Sequence, residues 1–488
     1  MIGESVSMIR AVRIAGPGRE YLIDDEPVDI LIVDGLIADI APTGALRSSG
    51  EVLDAEGAWV VPGLWDNHVH TVQWALAAER AALGGARSAA EAATLMASAP
   101  VLPDGRRVGS GYRDAMWPDA PSLELLYMAT GEIPTYLINA DVHSTWLNSA
   151  ALRREGFESP DGVLREEPAF EISRRLNAVD PLHGDRAVAD AGARAAARGI
   201  TGLVDFDMAW NADAWPRRVA AGFAAHRVEF AVYPFDLDRA VASGLRTGDE
   251  HGSPLIRVGP LKIITDGSLG TRTAACSHHY PGDPANFGML TVPEHELIRL
   301  LTVATGAGLA VAVHAIGDRA VTAALDAFTT TGAVGTMEHA QLVRHADLAR
   351  FGRLGVVASV QPQHALDDRD LVGHHWAEQT SIGYPLASLR NAGAELRFGS
   401  DAPVAPLDPW QAISAAVTRT DDEREPWHPE ERVTIDQAID ASVRSALRPG
   451  EAADVVVCGI DPRTAGGTEL RTMPVLATVL AGTVTHRA

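Results

Sequence analysis

Val60-Val61-Pro62-Gly63-Leu64-Trp65-Asp66-Asn67-His68-Val69-His70 is the stretch on which the reading of the chain turns. An apolar run passes through Pro62-Gly63 and ends in two histidines one residue apart. Side chains alternate between the two faces of a strand, so a strand running from Leu64 to His70 puts both imidazoles on one side, where they can hold one metal ion. By itself a His-x-His pair is read equally well as two loop histidines. The sequence on either side separates the two readings.

Downstream, from Asp185, the chain settles into a βα rhythm. Strands are expected at Thr201 to Phe206, Val228 to Tyr233, Ile256 to Thr265, Ala310 to Ala315, Gly335 to His339, Val356 to Gln361 and Glu395 to Ser400. Helices such as Arg186 to Arg198, Trp215 to Ala225, Pro293 to Ala304, Arg319 to Phe328 and Ala346 to Leu354 fall between them. With the strand at Leu64 there are eight, the number of a (β/α)8 TIM-like barrel.

Upstream, residues 8 to 60 form short strand-like runs (Ile9 to Ile14, Val28 to Val33, Leu36 to Ile40, Trp59 to Val61), with turns at Asp34-Gly35 and Glu56-Gly57. The far end repeats this character at Asp454 to Gly459 and Val475 to Val484, after a helix over Ile435 to Leu447. We therefore expect residues 1–61 and 448–488 to make one small composite β-sandwich domain, and 62–447 to make the barrel. Between them, about 75–180 reads as an insertion over the barrel mouth: an alanine-rich helix (Ala75 to Ala99), a loop from Pro103 to Pro121, and a polar-aromatic piece around His143.

Composition sets the outer bounds. With 488 residues, 46% of them hydrophobic, the chain can bury a large core. A net charge of -23 argues against nucleic acid and anionic membranes as partners. Met1 to Arg13 lacks the order of a secretion signal and no segment is apolar for long enough to span a bilayer, so a cytoplasmic protein is expected. Cys276 and Cys458 match no zinc or redox spacing and are expected as reduced thiols.

Placed on the eight-strand scheme, the metal-type residues converge. His68 and His70 end strand one, Lys262 lies on strand four, His314 and His339 end strands five and six, and Asp401 follows strand eight. Barrel enzymes build their active sites at this carboxyl face. Imidazole and carboxylate suit zinc or a similar divalent ion.

These residues and their surroundings resemble the amidohydrolase superfamily, and more narrowly amidohydrolase family 3, the YtcJ-like branch that includes N-substituted formamide deformylase. The motifs that carry the resemblance are Pro62 to His70, Lys262-Ile263-Ile264-Thr265-Asp266-Gly267-Ser268, His314-Ala315-Ile316-Gly317-Asp318, Glu338-His339-Ala340, Ser359-Val360-Gln361-Pro362 and Gly399-Ser400-Asp401-Ala402-Pro403. The insertion joins in through His143-Ser144-Thr145-Trp146 and Asp161-Gly162-Val163-Leu164-Arg165-Glu166. The resemblance implies one or two divalent ions, with His68, His70, Lys262 and Asp401 at one and Lys262, His314 and His339 at the other. It also implies that Lys262 is N6-carboxylated, since a bare ammonium repels a cation, and that Asp401 is the catalytic base. Otherwise Lys262 is a strand-end lysine paired with Asp266.

Substrate contact is assigned to Trp74, Trp117, His143, Trp146, Arg272, Asp318 and Gln361, with Tyr112, His364 and Asp367 as further pocket candidates. For Arg272, Asp318 and Gln361 a structural bridge or cap serves equally well. His278-His279 and His374-His375 read as surface or loop pairs. The expected activity is hydrolysis of a carbon-nitrogen bond outside peptides, on a small-molecule amide with an N-acyl or N-formyl group. The alternatives are deamination of a heterocycle, whose enzymes in this superfamily usually lack the carboxylated lysine, and a non-catalytic metal-binding relative. A homodimer is the ordinary expectation for such a chain.

Overall fold

The computed structural model describes residues 3–19 and 26–488. Its centre is an eight-stranded parallel sheet: β1 (Leu64–Val69), β2 (Ile200–Asp205), β3 (Arg227–Val232), β4 (Ile256–Ile264), β5 (Val311–Ala315), β6 (Gly335–His339), β7 (Val357–Val360) and β8 (Leu396–Phe398). Neighbours pair in chain order from β1 to β8. Every residue of β1, β2 and β5 is buried, because parallel strands are covered on both faces and so read as continuous apolar runs. The surrounding helices turn one face inward; Asp318–Thr331 buries Val321, Ala324, Leu325 and Phe328 at three- and four-residue spacing.

β8 meets β1 at the carboxyl end. There the Asp401 amide donates to the His68 carbonyl at 2.8 Å and the His70 amide to that of Ala402 at 2.9 Å. This approach needs Gly399, where an added Cβ would stand 2.8 Å from the His68 nitrogen. The end of the eighth strand is thereby pressed against the first pair of candidate ligands.

Strands from both ends of the chain share a second sheet. Trp59–Pro62 pairs antiparallel with Val455–Cys458, which continues through Val475–Leu480 to Thr483–Arg487; on its other side it meets Met8–Ile14, followed by Val28–Val33 and Leu36–Pro42. This is one continuous path of strands, bent within Met8–Ile14, whose first residues pair with Val52–Asp54 and whose last pair with Trp59 and Val60. It encloses its own apolar core, including Ile9, Val12, Ile30, Val455 and Val479. The chain passes straight from Pro62 through Gly63 into β1.

Three local expectations need correction. The alanine-rich stretch is two helices, Thr71–Ala77 and Ala89–Ser98, since Gly84-Gly85 interrupts it and the Ser88 side chain accepts from the Glu91 amide to start a new one. The Pro103 to Pro121 loop contains a strand, Arg107–Tyr112, in a five-stranded sheet that gives the insertion its own core around Tyr112, Leu137 and Trp146. Two glycines hide that strand from a propensity reading. Val475 to Val484 is a hairpin rather than one strand, because Ala481 and Gly482 both take positive φ, at 47° and 77°. Among the described residues no helix is long and apolar enough to cross a membrane. Cys276 and Cys458 are buried free thiols.

Candidate metal centre

A cavity of about 250 Å³ opens at the carboxyl face of the barrel, and His68, His70, Lys262, His314, His339 and Asp401 all line it. Each arrives on a different piece of backbone. His68 lies in β1, and His70 sits just past it, at the start of the helix Thr71–Ala77. Lys262 and His314 project from β4 and β5. His339 ends β6 with φ 73° and Asp401 follows β8 with φ 58°, left-handed conformations that non-glycine residues seldom take. Local strain of this kind is sustained only where surrounding contacts hold it.

The polar atoms converge. His68 Nε2 is 3.2 Å from Lys262 Nζ and 3.4 Å from Asp401 Oδ1, and His70 Nε2 is 3.3 Å from the same oxygen. The rings of His314 and His339 lie 4.4 Å apart. Among the described residues, the ligand atoms of His68, His339 and Asp401 all lie within 4.8 Å of one another. That trio mixes residues expected at two separate ions.

The other ring nitrogens are held from behind. His68 Nδ1 donates to Glu338 Oε2 at 2.7 Å, and His339 Nδ1 donates to Gln361 Oε1 at 2.8 Å. With the Nδ1 proton engaged, each ring turns its Nε2 lone pair inward, as a ligating histidine requires. Glu338 and His339 are adjacent, so strict strand alternation puts them on opposite faces. The left-handed backbone at His339 brings both to the site.

Electrostatics favours cation binding. Burial, reinforced by the Lys262 charge, holds His68, His314 and His339 far below the usual imidazole range, so the rings are neutral and their lone pairs free. For Asp401 burial pushes upward, but the hydrogen bond and charge of His70 outweigh it and keep the carboxylate ionised. Burial brings Lys262, 1% exposed, down to about 8, against the pull of Glu338 and Asp401. His314 Nε2 is buried without a hydrogen-bond partner among the described residues. Asp266 Oδ1 lies 3.5 Å away, yet that carboxylate accepts the amides of Ala275, Ile316 and Gly317. Neutral imidazoles, an ionised carboxylate and an orphaned ring nitrogen together fit a divalent cation. The same contacts correct the alternative for Lys262, whose amine faces His68 and not Asp266.

The remaining candidates divide. His143, His364 and Asp367 line the cavity. His143 donates from Nδ1 to Glu166 Oε2 at 2.9 Å, while Glu166 Oε1 accepts from Thr271 and Thr273 after β4, fastening the insertion to the barrel mouth. Burial opposes the imidazolium of His143, but Glu166 prevails and raises it to about 9. Gln361 serves as the rest for His339. Trp146 and Tyr112 pack in the insertion core, Trp117 lies against it with its indole donating to the Ala86 carbonyl, and Trp74 packs on the barrel core. Substrate contact falls away for these four, since an aromatic residue fills a core as readily as a pocket. Asp318 is fully buried, accepting from Ser277, Ser381 and Arg344, and Arg272 is exposed away from the cavity lining. His278 and His279 are exposed, whereas His374 and His375 end a helix with His375 buried against Tyr280.

Residue type and spacing do not single out Glu338 or Glu166 as site residues, although they lie in Glu338-His339-Ala340 and Asp161-Gly162-Val163-Leu164-Arg165-Glu166. A carboxylate next to a candidate ligand, or at the end of an insertion strand, was the available signal.

The amidohydrolase family profile matches residues 51–486. Protein LONG AFTER FAR-RED 3 of Arabidopsis thaliana is 29% identical over 457 aligned positions, covering 83% of this chain and 78% of its own. N-substituted formamide deformylase of Arthrobacter pascens is 26% identical, covering 94% of each chain. Among solved structures, an uncharacterized metal-dependent hydrolase from Pyrococcus horikoshii OT3 superposes with a TM-score of 0.79 at 26% identity, covering 94% of this chain and 99% of its own.

Proposed function

The chain belongs to the amidohydrolase family and is a metal-dependent hydrolase; from that premise we propose that it hydrolyses a carbon-nitrogen bond outside peptides, in a small N-acyl or N-formyl amide. The observation that carries this reading is Lys262, buried among four histidines with its amine 3.2 Å from His68 Nε2. A permanent ammonium there repels any cation the histidines attract. A carbamate, formed when the neutral amine adds to carbon dioxide and loses a proton, turns the same position into an anionic ligand; a pKa brought down to about 8 supports it. The similarity to a formamide deformylase supports the amide class.

We assign one or two zinc ions to the cluster. His68, His70, His314, His339, Asp401 and the carboxylated Lys262 would hold the cation, which would supply polarisation of the substrate carbonyl and a more acidic water. The protein's own part falls to Asp401. Its Oδ1 takes the proton of the attacking water as the new carbon-oxygen bond forms, and returns it to the amide nitrogen as the carbon-nitrogen bond breaks. Glu338 and Gln361 keep the imidazoles aimed throughout.

The test is zinc-loaded protein against a panel of N-formyl and N-acetyl amines and aminated heterocycles. Equal amounts of acid and amine are expected from the amides. Ammonia released from a heterocycle, with the amides untouched, overturns the reading in favour of a deaminase.

A further inference from the structure

A second cavity of about 250 Å³ adjoins the first, and His70, Val142, Phe170 and Met208 line both. Its remaining wall comes from the helix Thr71–Ala77 on the barrel side, from Glu167–Asn177 on the insertion side, and from the residues just after β2. The proposed chemistry on amides does not use this space.

Two polar side chains line this chamber without a partner. Gln73 is 6% exposed and Ser173 is 7% exposed, yet Gln73 Nε2 and Ser173 Oγ have no hydrogen bond among the described residues. Buried polar atoms are nearly always paired, so two such residues in the lining of one cavity mark a place built for a polar group to enter. Three polar neighbours each have at least one partner. Arg174 donates to Glu167 and Glu171, Asn177 Oδ1 accepts from Arg80, and Asp207 Oδ2 accepts the Val72 amide. Much of the rest of the wall is apolar: Val72, Val142, Phe170, Met208.

We infer that the chamber is a substrate subsite that takes a short apolar arm of the amide carrying a neutral oxygen acceptor, which receives hydrogen bonds from Gln73 Nε2 and Ser173 Oγ as these two buried atoms turn out of the wall. An anionic arm meets the Asp207 carboxylate in the same wall. A purely alkyl arm leaves both donors unpaired, so the site discriminates by the group it would otherwise orphan. Because Gln73 stands on the barrel and Ser173 on the insertion, the subsite exists only where the two meet. The assignment of the arm to an amide rests on the function proposed above; the chamber and its two donors do not.

An isosteric pair of probes tests this: N-(3-methoxypropyl)formamide, and N-pentylformamide with a methylene in place of the ether oxygen. Their kcat/KM values are compared on zinc-loaded wild type, Gln73→Leu, Ser173→Ala and the double variant. Their dissociation constants are measured by calorimetry on zinc-loaded Asp401→Asn protein carrying the same changes. Each substitution removes an unpaired polar group, so the fold is expected to persist, and melting curves check it. The ether-to-alkyl preference is expected to fall about threefold in each single variant and about tenfold in the double variant, as lost neutral hydrogen bonds predict. A preference unchanged within twofold overturns the subsite, including the case in which the chamber holds only water. Binding with the expected fall but no cleavage keeps the subsite and overturns the amide reading; cleavage without the fall does the reverse. Neither binding nor cleavage overturns both.

Discussion

Glu338→Gln removes one charge from behind the metal cluster and leaves the shape of the side chain unchanged. In the native protein Glu338 and His68 are each 1% exposed, with His68 Nδ1 donating to Glu338 Oε2 at 2.7 Å while Thr336 Oγ1 donates to the other oxygen. The carboxylate fixes the tautomer that presents Nε2 to Lys262 and Asp401, and makes the ring a stronger donor to a cation. A charge-assisted bond is worth about 1.5–3 kcal/mol and a neutral one about 1 kcal/mol. The difference of roughly 0.5–2 kcal/mol corresponds to about 2- to 30-fold in affinity. Zinc affinity, measured by competition with a chelating dye, is therefore expected to fall by about that factor. Stability of the metal-free protein moves the other way. Burial raises the Glu338 pKa, so holding it ionised costs stability in the apo state at pH above its ordinary carboxylate range, and apo Glu338→Gln is expected to melt no lower than wild type. Zinc affinity equal to wild type in a folded variant refutes the role of Glu338, and an apo variant that melts lower shows that its contribution is to the fold.

Asp401→Asn keeps an isosteric side chain but cannot accept the water's proton, so kcat is expected to drop about 10²- to 10⁴-fold with an unchanged circular dichroism spectrum; near-native turnover would sink the mechanism. Protein prepared without carbon dioxide is expected to lose activity and regain it with bicarbonate, and ¹³C-bicarbonate to give a carbamate resonance that Lys262→Gln lacks. Full activity in carbon-dioxide-free buffer contradicts the carboxylated lysine. Away from the site, Asp185 accepts from Arg217 at 2.8 Å and from the buried Arg218 at 3.0 Å. Burial pushes its pKa upward, but the two arginines outweigh it and the net shift is downward. A depressed carboxylate pKa contributes stability that is present above the unfolded value of about 3.9 and lost as pH falls through the folded one. The melting difference between wild type and Asp185→Asn is thus expected to be largest at pH 7 and to shrink towards pH 3, and a constant difference argues against the ion pairs.

Much of this protein was legible in the chain. The barrel strands announce themselves because parallel strands are covered on both faces: Val311–Ala315 and Ile200–Asp205 are unbroken buried runs, and each candidate ligand stands near the carboxyl end of such a run. His68, His70, Lys262, His314, His339 and Asp401 could be named by residue type and βα spacing alone, and they line one cavity. The tryptophans could not be placed, because apolar area drives burial without direction, and Trp146 satisfies that drive inside the insertion as well as it would in a pocket. Strand Arg107–Tyr112 was hidden by its glycines and exists because Thr135–Asn139 pairs with it.

The sequence by itself determined the sheet order and the set of metal-type groups, since both follow from local periodicity and chain order. Only the tertiary structure decided which groups stand behind the ligands and how far apart the ligand atoms lie. Glu338 reaches His68 from the far side of the barrel, and His339 joins it there because its backbone leaves the strand conformation. Gln73 and Ser173 share a chamber only because the insertion folds back on the first helix of the barrel. Contacts between residues distant in the chain depend on how whole elements pack, and no short-range pattern encodes that.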